Sequence, residues 1–392
     1  MTVTITAAGM GSTATLTREA QDAIAAADLL IGARRLLTPY QNSGKALFMS
    51  YDPAAIAERL KSGPEQTAAV LMSGDTGFFS GTKKLLPLLS GMDVRVLPGI
   101  ASPVCLCARC GLSWERLHCV TLHGADNSIA VHVRSHPLTC FLLGGSITAA
   151  MLCKRLIDYS LPDTTVHIGI NLGCENEQVL HGHPADFLDL PAETLCTVLV
   201  ENQSFCAYLP SGIPDSAFLR TTVPMTKAEV RCLAVSSLNI CPSDIVWDIG
   251  CGTGSVTVEL ALRCPDGHVC AIDQNPEAVR LTRENLRRFS CDNVTVTEGS
   301  FPEPPLPRPD KVFLGGTGGR LQQIAEVIYT ANPAARILLT AVTLETLAEA
   351  QTVFRQHSRE CTVTQIAVTR TRPLGTHTLL QAENPIFLIA AK

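Results

Sequence analysis

The chain has 392 residues, which at about 100–200 residues per domain calls for two to four domains and excludes a single small binding module. Hydrophobic residues make up 46% and charged residues 17%, below the ~25% charge of average globular proteins, so the chain is not disordered and large cores or a buried subunit surface are expected. Lys and Arg number 31 against 36 Asp and Glu, a net charge of −5, so the basic excess of a nucleic-acid binder is missing.

The longest apolar stretches are broken well before the ~18–20 residues of a membrane span, and no membrane partner is expected. The amino terminus has no cationic segment ahead of an apolar run, so it does not read as a signal peptide and a cytosolic, cytoplasmic protein is expected. In that compartment the 16 cysteines read as buried thiols, and Cys105, Cys107 and Cys110 lack the second pair that a zinc site requires, so no metal is expected. Low charge content points to a homo-oligomer.

In chain order, short β-branched runs alternate with helical stretches, the pattern of α/β sheets. Residues 2–8 read as a strand that enters the turn Gly9-Met10-Gly11-Ser12, followed by a helix over 16–30 with Thr15 or Thr17 as cap. A buried strand ends at Ser73, Gly74-Asp75 turns the chain, and a helix starts near Thr82. Another strand leads into Pro98-Gly99-Ile100-Ala101-Ser102. Between about Tyr208 and Val223 prolines, glycine and polar residues without apolar period mark a linker, dividing the chain into domains 1–210 and 220–392.

After the linker, the strand Ile245-Val246-Trp247 runs into Asp248-Ile249-Gly250-Cys251-Gly252-Thr253-Gly254. Alternate glycines let the backbone approach a ligand that a Cβ would exclude. A second strand, from His268 to Ile272, ends at Asp273, where a carboxylate can accept both hydroxyls of an adenosine ribose. Nicotinamide dinucleotide sites use a different glycine spacing, and a carboxylate at Asp248 would repel a pyrophosphate while suiting the positive amino and sulfonium groups of S-adenosylmethionine.

Asp248 to Gly254, Asp273 and Glu298-Gly299-Ser300 resemble the ligand loops of class I S-adenosylmethionine methyltransferases. Pro224-Met225-Thr226-Lys227, Gly315-Gly316-Thr317-Gly318-Gly319, Thr343-Leu344-Glu345 and Asn384-Pro385 resemble the C15-methylating, decarboxylating precorrin branch of that class, over essentially all of 220–392. That resemblance implies a Rossmann-like domain, cofactor contact by Thr226, Asp248, Gly250, Cys251, Gly252, Thr253, Gly254, Asp273, Gly299 and Ser300, and a tetrapyrrole bordered by Gly315, Gly316, Gly318, Gly319, Thr343 and Glu345. Arg372 is taken as a carboxylate anchor.

The turns of the first domain, together with Leu122-His123-Gly124 and Asn171-Leu172-Gly173, resemble the class III tetrapyrrole methyltransferases of the C5-methylating precorrin type. This implies a two-lobed fold with S-adenosylmethionine at Gly9, Gly11, Gly74, Asp75 and Ser102, and it makes His123 a candidate for proton transfer. The first loop lacks the family's proline, and Thr76 stands where the second loop usually has one. Together the two resemblances imply a small-molecule precorrin acceptor, methylated at C5 and C15 and decarboxylated at the ring C acetate. An RNA or protein methyltransferase and an S-adenosylmethionine sensor are the alternatives, since fold alone does not choose a substrate.

Overall fold

The computed structural model describes residues 1–122, 127–144, 146–192, 196–207, 211–302 and 305–391. By packing, the chain forms two compact units. The first holds Met1–Ala125, Pro137–Cys153 and Asp163–Asn202; the second holds Asp126–His136, Lys154–Pro162 and Gln203–Lys392.

The first unit contains two five-stranded sheets. One comprises β1 (Thr2–Ala7), β2 (Leu29–Gly32), β3 (Ala46–Met49), β4 (Thr67–Met72) and β5 (Asp93–Leu97), all parallel, in the order β3-β2-β4-β1-β5. Its central strands are buried almost end to end, as both faces of a parallel sheet are covered. The second sheet is mixed. It comprises β6 (Leu117–Thr121), β7 (Leu138–Leu142), β8 (Thr165–Ile170), β9 (Gln178–Gly182) and β10 (Cys196–Glu201), in the order β6-β7-β10-β8-β9.

The helix expected over 16–30 is shorter, Arg18–Ala26, with the Thr17 hydroxyl accepting from the Ala20 amide. It stops because Asp28 engages Thr67, whose amide donates to Asp28 Oδ2 at 3.1 Å, and the chain then joins the sheet as β2. Thr15 does not cap this helix; its Oγ1 accepts the Met10 amide and so ties down the first glycine turn. All sixteen cysteines are free thiols. Cys105 and Cys107 pack with Leu106, Leu138, Leu172 and Leu199 in the core of this unit.

The second unit is built on a seven-stranded sheet. Its strands are β11 (Ile245–Ile249), β12 (His268–Asp273), β13 (Val294–Glu298), β14 (Lys311–Leu314), β15 (Arg336–Ala341), β16 (Cys361–Ile366) and β19 (Ile386–Ala391). The order is β13-β12-β11-β14-β15-β19-β16, parallel through β15, with β19 antiparallel to both of its neighbours β15 and β16. β17 (Thr369–Leu374) and β18 (His377–Ala382) form a separate hairpin, exposed along both strands. Val246 packs in one core and its neighbours Trp247 and Ile249 in another, so the sheet is covered on both faces. The chain leaves β11 toward β12 on one side and returns to β14 on the other, which makes the carboxyl ends of β11 and β14 a topological switch point.

The segment read as a linker is held in the core of this unit, with Ile213, Phe218 and Val223 all buried. The unit also takes in the short helix Ala130–Ser135, whose leading amides need acceptors. Asp292 supplies them: its carboxylate accepts the Ile129 amide at 2.8 Å, the Ala130 amide at 3.1 Å and the Ser128 hydroxyl. Among the described residues, no helix is long and apolar enough to cross a membrane. Replacing Asp292 with Ala strands these donors in a buried position, so a loss of about 1–3 kcal/mol in stability is expected. Urea unfolding checks it, and an unchanged midpoint would contradict this account of the cap.

Candidate functional site

The switch point of the second unit opens into a cavity of about 670 Å³. Its floor is the turn after β11. Gly250, Cys251, Gly252 and Thr253 line it, followed by Ser255 at the start of the helix Ser255–Arg263. Gly254 turns into that helix at φ 75°, and a Cβ there would stand 2.8 Å from Thr282, so this position cannot carry a side chain without displacing its neighbour. The turn is held from behind by the helix Pro276–Arg288: Thr282 Oγ1 donates to the Gly252 carbonyl at 3.1 Å, and Asn285 Nδ2 to that of Thr253 at 2.8 Å. Neither residue belongs to the motif, and nothing in the motif's spacing points to them.

Asp273 closes β12 at the cavity wall. Its Oδ2 accepts the Gly252 amide and its Oδ1 the Asn275 amide, each at 2.9 Å, which fixes the carboxylate while leaving lone pairs on both oxygens. Gly299 and Ser300, after β13, line the same wall, and Thr226 with Pro224, Met225 and Lys227 lines another. Asp248 is not part of the wall. It lies inside β11, fully buried, with Oδ2 accepting from Thr257 Oγ1 at 2.5 Å and Oδ1 without a partner among the described residues. Burial pushes its carboxyl up to about 7; the Thr257 hydroxyl opposes this and the charge of Asp273 adds to it.

S-adenosylmethionine fits this set. Bare glycine backbone leaves room for a nucleoside, and Asp273 presents a prearranged double acceptor on the cavity wall.

The first unit holds a smaller cavity, about 260 Å³, lined by Gly9, Met10, Gly74, Asp75, Ala101 and Ser102, with Arg35, Phe78 and Phe79. Its loops are tied together by backbone and by one carboxylate. Gly9 and Gly74 exchange amide and carbonyl bonds, at 3.2 and 2.6 Å. Asp75 Oδ1 accepts the Gly77 amide and Oδ2 that of Gly99, each at 2.8 Å. Thr76, in the place of the usual proline, is buried and donates its hydroxyl to the Leu97 carbonyl at 3.0 Å, so a hydrogen bond does the stiffening. Gly11 does not line the cavity; it stands at φ 97° beside Arg35 and Leu36. His123 lies outside the described residues.

These two sites fall in two family segments. Residues 2–187 match the model of the tetrapyrrole (corrin/porphyrin) methylases, and residues 217–392 that of the precorrin methyltransferase domain. A probable cobalt-precorrin-6B C(15)-methyltransferase (decarboxylating) from Pyrobaculum aerophilum is 38% identical over 190 residues, 47% of this chain and 97% of that relative. The chain belongs to the precorrin methyltransferase family. The corresponding Salmonella typhimurium protein is 37% identical, over 45% of this chain and 94% of its own length. A crystal structure of precorrin-6Y C5,15-methyltransferase from Geobacter metallireducens is 34% identical, covering 46% of this chain and 96% of that one, with a TM-score of 0.44.

Among the residues expected to border the acceptor of this methyltransferase, Gly315, Gly316 and Gly318 line the larger cavity. Gly319, Thr343, Glu345 and Arg372 do not. Gly319 stands at φ 72° with open space around it. Thr343 is spent as the cap of the helix Leu344–Gln356, its Oγ1 accepting the Thr346 amide, and Glu345 sits in that helix's first turn. Arg372 is on the exposed hairpin; the arginine two residues earlier, Arg370, pairs with Glu229 and Glu383. The cations in the wall are Lys227, 3.9 Å from Asp215, and Arg320, which has no carboxylate partner among the described residues. Five residues of glycine-rich loop precede Arg320, and that context hid it.

Two outcomes follow from this geometry. Arg320→Ala raises the KM for a polycarboxylated acceptor about tenfold, as loss of a charge-assisted bond does, and Arg372→Ala leaves it unchanged; steady-state kinetics decides. Between 3.8 and about 7 only the folded chain keeps the Asp248 proton, so this group's contribution to stability falls as pH rises through that window. Asp248→Asn removes the slope and makes the variant the more stable protein at pH near 8. Thermal midpoints measured across pH test this, and parallel curves for the two proteins would refute it.

Proposed function

We propose that the chain is a bifunctional S-adenosylmethionine methyltransferase of cobalamin biosynthesis. It methylates C5 and C15 of precorrin-6Y and removes the carboxyl of the ring C acetate as CO2, giving precorrin-8X. In this reading 1–210 carries C5 methylation, and 220–392 carries C15 methylation with decarboxylation. The observation behind it is the presence on one chain of both family segments, each with its own glycine-lined cavity.

The donor supplies a methyl group already activated by a sulfonium, so the protein has to align it with a carbon nucleophile and exclude water. In the second unit Asp273 takes the ribose hydroxyls, the amides around Gly250 to Ser255 face the rest of the donor, and Thr226 closes the opposite wall. Arg320 and Lys227 hold acceptor carboxylates so that the meso carbon faces the methyl group. Methylation at C15 leaves the ring electron-poor. When the carbon–carboxylate bond of the acetate breaks, its electron pair enters the conjugated ring and cancels the positive charge gained with the methyl group; the methylene carbon left behind takes up a proton from water as the methylated C15 loses its own proton to water. In the first unit Gly9, Gly74, Asp75 and Ser102 hold the donor. A cytosolic, self-associating protein completes the proposal.

The full-length chain, methyl-labelled donor and precorrin-6Y provide the test. Wild type transfers two methyl groups and releases one CO2. Asp273→Ala weakens donor binding in the second unit by about tenfold to a hundredfold and suppresses C15 methylation and CO2 together while C5 methylation persists. Asp75→Ala suppresses C5 methylation. Label on RNA or protein in place of the ring, or donor binding without turnover, would replace this reading with one of the alternatives.

A further inference from the structure

Arg231 and Glu259 are both fully buried in the second unit, where methyl transfer itself asks for no charge. Arg231 lies in the first turn of the helix Ala228–Leu238, and Glu259 about one turn into the helix that follows the glycine loop. The guanidinium donates from Nε to Glu259 Oε1 at 2.5 Å, from Nη1 to the Thr226 carbonyl at 2.5 Å, and from Nη2 to the Ile213 carbonyl. Glu259 in turn accepts the Gly212 and Ile213 amides at 3.1 and 3.0 Å. The ring of Phe218 covers the guanidinium, 4.8 Å from its carbon.

A buried ion pair is seldom more stabilising than apolar side chains of the same volume, so fold stability alone does not account for it. Its geometry does. One rigid fork reaches a carbonyl in the cavity wall at Thr226, a carbonyl of the preceding segment, and a carboxylate on the helix that carries the glycine loop. Thr226 and the loop Gly250–Thr253 both line one cavity, and the guanidinium bonds the Thr226 carbonyl on one side and, at Glu259, the helix that follows the loop on the other.

We propose that Arg231 and Glu259 are positioning residues for the methyl donor: they hold Thr226 at a fixed distance from the glycine loop and so set donor affinity in the second unit. This rests on the reading of that cavity as the donor site. With Asp215 Oδ1 at 3.4 Å from Nη1, the guanidinium has four acceptors; a lysine cannot reach them all, so Arg231→Lys loosens the wall without removing the charge.

The experiment uses the full-length chain and follows CO2 release, which reports the second unit alone, against donor concentration. Arg231→Lys raises the donor KM about tenfold and leaves kcat at saturating donor within about twofold. Glu259→Gln, which keeps the shape and halves the pairing, shifts KM in the same direction, and it carries the test if the lysine variant does not fold. Leu238→Ala, buried at the far end of the same helix, lowers the thermal midpoint but leaves donor KM unchanged. An unaltered donor KM in both polar variants, or an equal rise in the Leu238 variant, overturns the inference. A wild-type chain that releases CO2 without S-adenosylmethionine, or does not bind it, overturns the reading of the cavity instead.

Discussion

A Cβ on Gly315 would lie 2.5 Å from the carbonyl oxygen of Gly250, so the chain leaves β11 and β14 side by side only as bare backbone. The two strands are neighbours in the sheet, with Ile249 opposite Leu314. Any side chain at the crossing would have to push them apart where the ladder ends. Because the crossing is bare, both turns run directly over the carboxyl edge, and their backbone lines the cavity above. The bonds from Thr282 and Asn285 to the Gly252 and Thr253 carbonyls hold that backbone, together with the buried side chains of Cys251 and Thr253.

Strand order then distributes charge across this floor. β12 and β14 flank β11 on opposite sides, so Asp273 stands on one side of the glycine loop and Arg320, after β14, on the other. Asp273 marks the β12 side, and the cations Arg320 and Lys227 belong to other segments of the wall. A cationic donor and an anionic acceptor would each meet a field of the opposite sign, and in a partly desolvated cleft such fields act more strongly than in water.

The elements that build the floor were legible in the sequence because glycine spacing and strand hydrophobicity are local signals. The turn after β11, the end of β12 at Asp273 and the turns of the first unit all stand where those signals put them. What failed needed tertiary information. Asp248 precedes the turn by two residues, and only the twist and cover of β11 decide that it faces Thr257 instead of the cavity. Thr343 has the composition of a ligand residue and the same composition as a helix cap, and the helix took it. Arg231 carries no local signal of its role, since its partner Glu259 lies 28 residues away, beyond any local pattern. The helix over 16–30 was overextended because Ala and Leu persist past the point where Asp28 commits the chain to the sheet.

The two units solve one problem in the same way on unrelated sheets. A loop stripped of side chains to admit a ligand is also stripped of what would hold it still. In the second unit Asp273 spans the Gly252 and Asn275 amides, and in the first Asp75 spans the Gly77 and Gly99 amides, so each carboxylate binds two loop amides. An asparagine has one acceptor oxygen and cannot do this; a glutamate adds a rotatable bond and loses the rigidity. A carboxylate so held keeps free lone pairs toward the cavity, so the group that stiffens each loop is also able to accept a hydroxyl from what binds there. Stiffness and the capacity to accept a hydroxyl therefore reside in the same two oxygens of each carboxylate.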